Sequence, residues 1–132
     1  MNLVYKEAFL ALATLHIERS TQFYCTLLAI APIQEIPGIY AEFLLPGLKL
    51  GLFSPKAAHR TEFMTAGGAM SLCLEVAQLE AAIAQVQAAH AALADANVTL
   101  PPIGEITTAS HGREVYAYDP DGNRLILHEA RS

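Results

Sequence analysis

From Ala8 to Thr14 the bulkier side chains, Leu10 and Leu12, fall on alternate positions, the period of a strand that packs on one face. A helix is predicted next. Glu18-Arg19-Ser20 opens it, and Phe23, Leu27 and Ile30 recur at i, i+4 and i+7 as one apolar stripe, which Pro32 should end. Three short strands account for the rest of this half, about Ile33 to Ile36, Tyr40 to Leu45 and Leu48 to Phe53, separated by the turn pairs Pro37-Gly38 and Pro46-Gly47. The order read is β-α-β-β-β.

The same order returns. Ser71 to Val76 reads as a strand, and an alanine-rich helix from about Gln78 places Leu79, Ile83, Val86, His90 and Leu93 on one face, with Asn97, Pro101 and Pro102 at its exit. Strands about Ile103 to Thr107, Arg113 to Tyr118 and Asn123 to Glu129 follow, the last introduced by Asp119-Pro120-Asp121-Gly122. Pro46 to Phe53 is echoed by Asp121 to His128: a turn glycine, a basic residue two positions on, then alternating leucines. Phe9 and Ser71 share one offset with Glu18 and Glu80; Gly47 and Gly122 stand further apart, because the second helix and the Thr99 to His111 loop are longer. Pro55, Gly67 and Gly68 mark a linker. The expected fold is α+β: one domain over residues 1–132, made of tandem βαβββ modules at about 8–53 and 70–130 joined by a linker at 54–69, forming a cupped mixed sheet with the helices outside.

Strand alternation also assigns faces. The leucines at 10, 12, 48, 50, 52, 72, 74, 125 and 127, with Val76, form an apolar face suited to the helices. The opposite face is mixed: it carries Phe9, Ala11, Ala13, Lys49, Gly51 and Phe53 from the first half, and Ser71, Cys73, Glu75, Arg124, Ile126 and His128 from the second. Mostly apolar walls with a few polar groups are the usual lining of a small-molecule site.

Composition narrows the partners. A chain 53% hydrophobic and 16% charged is not disordered by composition. Its net charge of −5, with eight Lys and Arg in all, leaves no basic stripe for nucleic acid and favours a neutral or cationic ligand. No run approaches the roughly 20 apolar residues that span a membrane. Ala8 to Leu15 imitates a signal peptide only faintly, and its repeat partner in mid-chain argues for a strand. Cys25 and Cys73 are too few for a disulfide framework and are expected as reduced thiols in a cytoplasmic protein.

The doubled unit, with Glu18-Arg19-Ser20 and Phe23-Tyr24 after its first strand and Gly112-Arg113-Glu114 and Tyr118 to Arg124 before its last, resembles the vicinal oxygen chelate superfamily. That group includes glyoxalase I, bleomycin-resistance proteins, fosfomycin-resistance enzymes and extradiol dioxygenases. The likeness covers about residues 8–130, and Asp119-Pro120-Asp121-Gly122-Asn123 is its most specific mark. It implies a homodimer, since a second chain often completes the cup. It also implies one divalent ion held by His, Gln or Glu on the first and last strands of each half. The matching positions here are Phe9, Gly51, Ser71 and Ile126, and a slip of one residue meets only Leu10, Leu50, Leu72 and Leu125. None offers the imidazole, carboxylate or thiolate that such an ion requires. No metal and no cofactor are therefore expected, and isomerisation or extradiol chemistry by the usual metal-dependent route is not.

His128 is the candidate general acid or base, and Glu75 the candidate group to orient it or to bind a ligand cation; a hydrogen-bonded histidine and a solvated carboxylate at the sheet edge are the alternatives. Lys49 and Arg124, at equivalent repeat positions, either bracket an anionic substrate or are surface residues after turns. Cys73 is a nucleophile only if a nearby base or cation lowers its pKa; otherwise it is a plain thiol. Tyr116 and Tyr118 share a strand face and either stack on a flat ligand or pack. His16, His59, His90 and His111 have no metal-type spacing; His90 is read as a packing residue and His111 as a loop residue beside Gly112. Two functions follow: a metal-free protein that binds a small organic molecule in the cup, or an enzyme of lyase, isomerase or dioxygenase type using His128 and Glu75 or an atypical metal site.

Overall fold

The computed structural model describes residues 3–64, 69–93 and 100–131. The first half runs β1 (Leu10–Ala13), α1 (Ile17–Leu28), β2 (Gln34–Ile36), β3 (Tyr40–Leu45) and β4 (Leu48–Phe53). The crossover through α1 makes β1 and β4 parallel, with Leu10 level with Leu50 and Ala11 with Gly51; β3 pairs antiparallel with β4 across the Pro46-Gly47 turn. The sheet order is β1-β4-β3-β2. After α2 (Arg60–Met64), the second half repeats the pattern as β5 (Ser71–Glu75), α3 (Leu79–Ala91), β6 (Thr107–Ala109), β7 (Gly112–Tyr118) and β8 (Arg124–Ala130), in sheet order β5-β8-β7-β6. Gly47 and Gly122 have φ of 78° and 85°, the left-handed conformation that explains why both repeats place a glycine there.

Both sheets turn their leucine faces onto the helices. Phe43, Leu50 and Leu52 from one sheet, Val115, Leu125 and Leu127 from the other, Phe23, Tyr24 and Leu27 from α1, and Leu79, Val86 and Ala89 from α3 are all buried in one core. The modules therefore pack on each other within one chain. Each fully buried Leu or Phe contributes about 1.5–3 kcal/mol, so this shared core is what joins the halves. Phe23 lies at its centre, edge-on to Tyr24 at 5.2 Å and stacked on His90 at 5.9 Å. His90 is a packing residue, with Nε2 3.3 Å from the Tyr118 carbonyl oxygen.

Several boundaries differ from the expectation. Ile30 lies outside α1 and is exposed, because Ala29 adopts a left-handed conformation (φ 55°, ψ 39°) that ends the helix before Pro32 can. The strand expected at Ile103 to Thr107 begins only at Thr107; Pro101 and Pro102 lack N–H groups, and Gly104 makes a single ladder-like bond, to the Tyr116 carbonyl at 2.9 Å. The segment read as a plain linker carries α2 and a 3-10 turn at Ala57–His59. The tandem βαβββ modules are as expected, each forming its own four-stranded mixed sheet with β1 or β5 at one edge. Gly67, Gly68 and Asn97, read as breakers, lie outside the described residues.

Candidate functional site

The two unpaired strand edges border a cavity of about 410 Å³. Its walls are the stretch from Leu10 to Leu15 on one side, Met70, Ser71, Leu72, Arg124 and Leu125 on the other, and Pro55 and Phe63 from the inter-module segment. Phe63 is held edge-on against Phe53 at 5.1 Å, so α2 supplies an aromatic wall from the segment expected to be a linker. A volume of this size suits a small organic molecule.

Tyr24, Asp121 and Asn123 close one end of the cavity. Ser20 Oγ donates to Asp121 Oδ2 at 2.7 Å and lies 2.6 Å from Thr14 Oγ1. Because the single Ser20 proton goes to the carboxylate, Thr14 must donate to Ser20, while Thr14 Oγ1 accepts from the His16 N–H at 3.2 Å. The Leu15 N–H donates to Asp121 Oδ1 at 3.2 Å, which ties the exit of β1 to the last turn of the other half. Asp119 beneath it is buried and fully satisfied. Its Oδ1 accepts from the Asp121 and Asn123 N–H groups, both at 2.9 Å, and its Oδ2 from Tyr24 Oη at 2.7 Å and Asn123 Nδ2 at 2.9 Å. Burial pushes the Asp119 carboxyl up despite these donors, and burial together with the Asp119 charge raises the Tyr24 phenol well above its ordinary value.

Of the expected site residues, Ser71 and Arg124 line this cavity. Arg124 Nε donates to Ser71 Oγ at 2.9 Å, and the guanidinium lies 5.4 Å from the centre of the Tyr116 ring. The remaining candidates lie along the helix-averse faces in two groups. Lys49 Nζ is 3.3 Å from both Glu7 carboxylate oxygens, 3.8 Å from Glu42 and 6.0 Å from the Phe9 ring centre. At Gly51 a Cβ would come within 2.7 Å of the Tyr40 hydroxyl, so the tyrosine ring occupies the space of the missing side chain. Tyr40 donates to Glu42 at 2.7 Å, and burial with that bond pushes its phenol up to about 12. These neighbours bear on the divalent ion the resemblance implies. Phe9, Gly51 and Ile126 offer no donor, Tyr40 fills the space at Gly51, and the Ser71 hydroxyl accepts from a cation; the four positions do not fit such an ion.

At the far end of β5 and β8, Glu75 is level with His128, and His128 Nδ1 lies 2.6 Å from Glu75 Oε2. This contact is the geometry that the first of the roles read for Glu75, orienting His128, would need. What the sequence did not reveal is His111, whose Nδ1 lies 2.8 Å from His128 Nε2. Cys73, on the same face, has its thiol raised by burial and by the charges of Glu75 and Glu114, the opposite of what a nucleophile needs. Among the described residues no group of three or more His, Cys, Asp or Glu side chains is arranged to hold a metal ion, and no helix is long and apolar enough to cross a membrane.

The model for the glyoxalase/bleomycin resistance protein/dioxygenase superfamily matches residues 8–127. Among solved structures, a glyoxalase-related enzyme from Fulvimarina pelagi is similar with TM-score 0.69 and 18% identity over 96% of this chain and 88% of the other. A bleomycin-binding protein complexed with bleomycin gives 0.65 and 20%, over 96% of this chain and 100% of the other. A protein from Agrobacterium tumefaciens solved by NMR gives 0.63 and 28%, over 94% and 96%. No curated protein matches. The chain belongs to the glyoxalase/bleomycin resistance protein/dioxygenase superfamily.

Proposed function

We propose that this protein binds a small organic molecule in the cavity between β1 and β5, with no divalent ion at Phe9, Gly51, Ser71 and Ile126. The observation that carries the reading is a cavity of about 410 Å³ walled by leucine, alanine and Phe63, with the Asp121 carboxylate and the Arg124 guanidinium among its polar groups. Apolar walls supply affinity, and a carboxylate and a guanidinium lining the same cavity favour a ligand with polar groups at defined positions. The bleomycin-binding relative makes glycopeptide drugs a sensible first class to screen. A homodimer in a reducing compartment completes the reading. Phe9, Leu44 and Tyr116 are exposed on the helix-averse faces, where a second chain would cover them, and both cysteines are free thiols.

A thermal-shift screen over metabolites and glycopeptides tests it. A ligand at 100 times its dissociation constant should stabilise the fold by about 2.7 kcal/mol. Phe63→Ala, which removes one cavity wall, should weaken that ligand roughly tenfold; an unchanged affinity would place binding elsewhere. The 2.6 Å Glu75–His128 pair supports a second reading, an enzyme using His128 as acid or base. Under that reading His128→Ala abolishes turnover and leaves binding intact.

A further inference from the structure

Glu75, His128 and His111 form a hydrogen-bonded chain. With both rings neutral, His128 donates from Nδ1 to the Glu75 carboxylate and its Nε2 accepts from Nδ1–H of His111. The ring centres are 5.0 Å apart and the nitrogens 2.8 Å, so the nitrogens lie near the line joining the rings and point at each other. Two imidazole nitrogens converge on one shared proton, and a carboxylate backs one of the rings. Glu114 stands opposite His128 on β7 as Glu75 does on β5, so a carboxylate flanks the histidine on either neighbouring strand. The acceptor nitrogen with a carboxylate behind the other ring nitrogen is the arrangement that orients a metal-bound histidine.

We infer that His111 and His128, with Glu75 behind His128, form a seat for a borderline divalent ion such as zinc, which takes the place of the proton between the two rings as that proton moves to Nε2 of His111, so that both ligands stay neutral. The seat is separate from the cavity. Glu75 and His128 are four residues along their strands from Ser71 and Arg124, about 13 Å at roughly 3.3 Å per residue. Two nitrogens each about 2.1 Å from a tetrahedral ion stand about 3.4 Å apart, so the pair must open by roughly 0.6 Å. His111 can give that distance, since it is exposed at the tip of the turn joining β6 to β7. Its backbone is anchored meanwhile, because its carbonyl accepts from the Arg131 N–H at 3.1 Å. With two protein nitrogens, the remaining coordination positions go to water or to a donor from outside.

Zinc titration by calorimetry into the intact chain and into His111→Ala, His128→Ala, the double variant and Glu75→Gln tests this. One equivalent should bind the unaltered protein, each histidine variant should lose at least about tenfold in affinity, and Glu75→Gln about tenfold. Histidine nitrogen resonances read by NMR should move at His111 and His128 and stay fixed at His16, His59 and His90. His111→Ala, at an exposed turn, keeps the test valid if His128→Ala fails to fold. Zinc binding equal in the double variant, or no saturable binding by the unaltered chain, overturns the proposal. Neither result bears on ligand binding in the cavity, which the thermal-shift screen reads.

Discussion

Two glycines separate a conformational requirement from a packing one. Gly47 needs only its left-handed φ of 78°, since nothing lies within 4 Å of a Cβ built there. Gly47→Ala should cost about 1 kcal/mol. Gly112 has φ of 143°, and a Cβ there would collide with the Glu129 carbonyl, so the backbone of β8 would have to move. Gly112→Ala should cost on the order of 3 kcal/mol, and urea denaturation should rank the two variants in that order. The repeated glycines at 47 and 122 were legible in the sequence because a turn glycine answers to its own φ. His111 was not: its partner is 17 residues away, and the pairing exists only because β7 and β8 bring the turn alongside β8.

Electrostatics between elements set how α3 is held. No side chain caps its N-terminus locally, and Glu129 of β8 accepts from the Leu79 N–H at 2.8 Å, where the helix dipole favours an anion. Arg113 of β7 bridges Glu129 and Glu80, with contacts of 2.7 to 3.1 Å. The Arg113 hydrogen bonds hold the Glu80 carboxyl at about 2 against an ordinary 4.5, and the Leu79 N–H followed by Arg113 lowers Glu129. Both folded pKa values are depressed, so their stabilisation is present above about 4.5 and is lost as pH falls towards about 2. Asp119 has the opposite sign. Its raised carboxyl favours the fold at pH below its ordinary 3.8 and loses that contribution as pH rises through the folded value. Melting temperatures of Arg113→Ala should therefore fall less steeply between pH 4.5 and 2 than those of the unaltered chain. A parallel decline would show that the clamp contributes nothing. The period of each element was readable, because side-chain alternation is local; the clamp was not, because Glu80 and Arg113 meet only after α3 packs on its sheet.

At the scale of the whole molecule, the halves are joined by the shared core and by several polar bonds, among them that of Tyr24 of α1, which donates to buried Asp119 of the last turn. Tyr24→Phe removes that donor and leaves one Asp119 oxygen a bond short, at a cost of about 1–3 kcal/mol. Calorimetric unfolding should show the loss as a single lowered transition, since both modules share one core. The sequence by itself determined the doubled β-α-β-β-β order, the leucine faces, the turn glycines and the family resemblance, because these rest on near-neighbour sterics and strand or helix periods. Only the tertiary structure decided that there are two sheets with facing edges, that a cavity opens between them, and that Asp121 bonds to Leu15 across 106 residues of chain. The reason is physical: local patterns fix how each strand and helix forms, whereas a cavity exists only in the relative placement of elements, which packing over the whole chain selects.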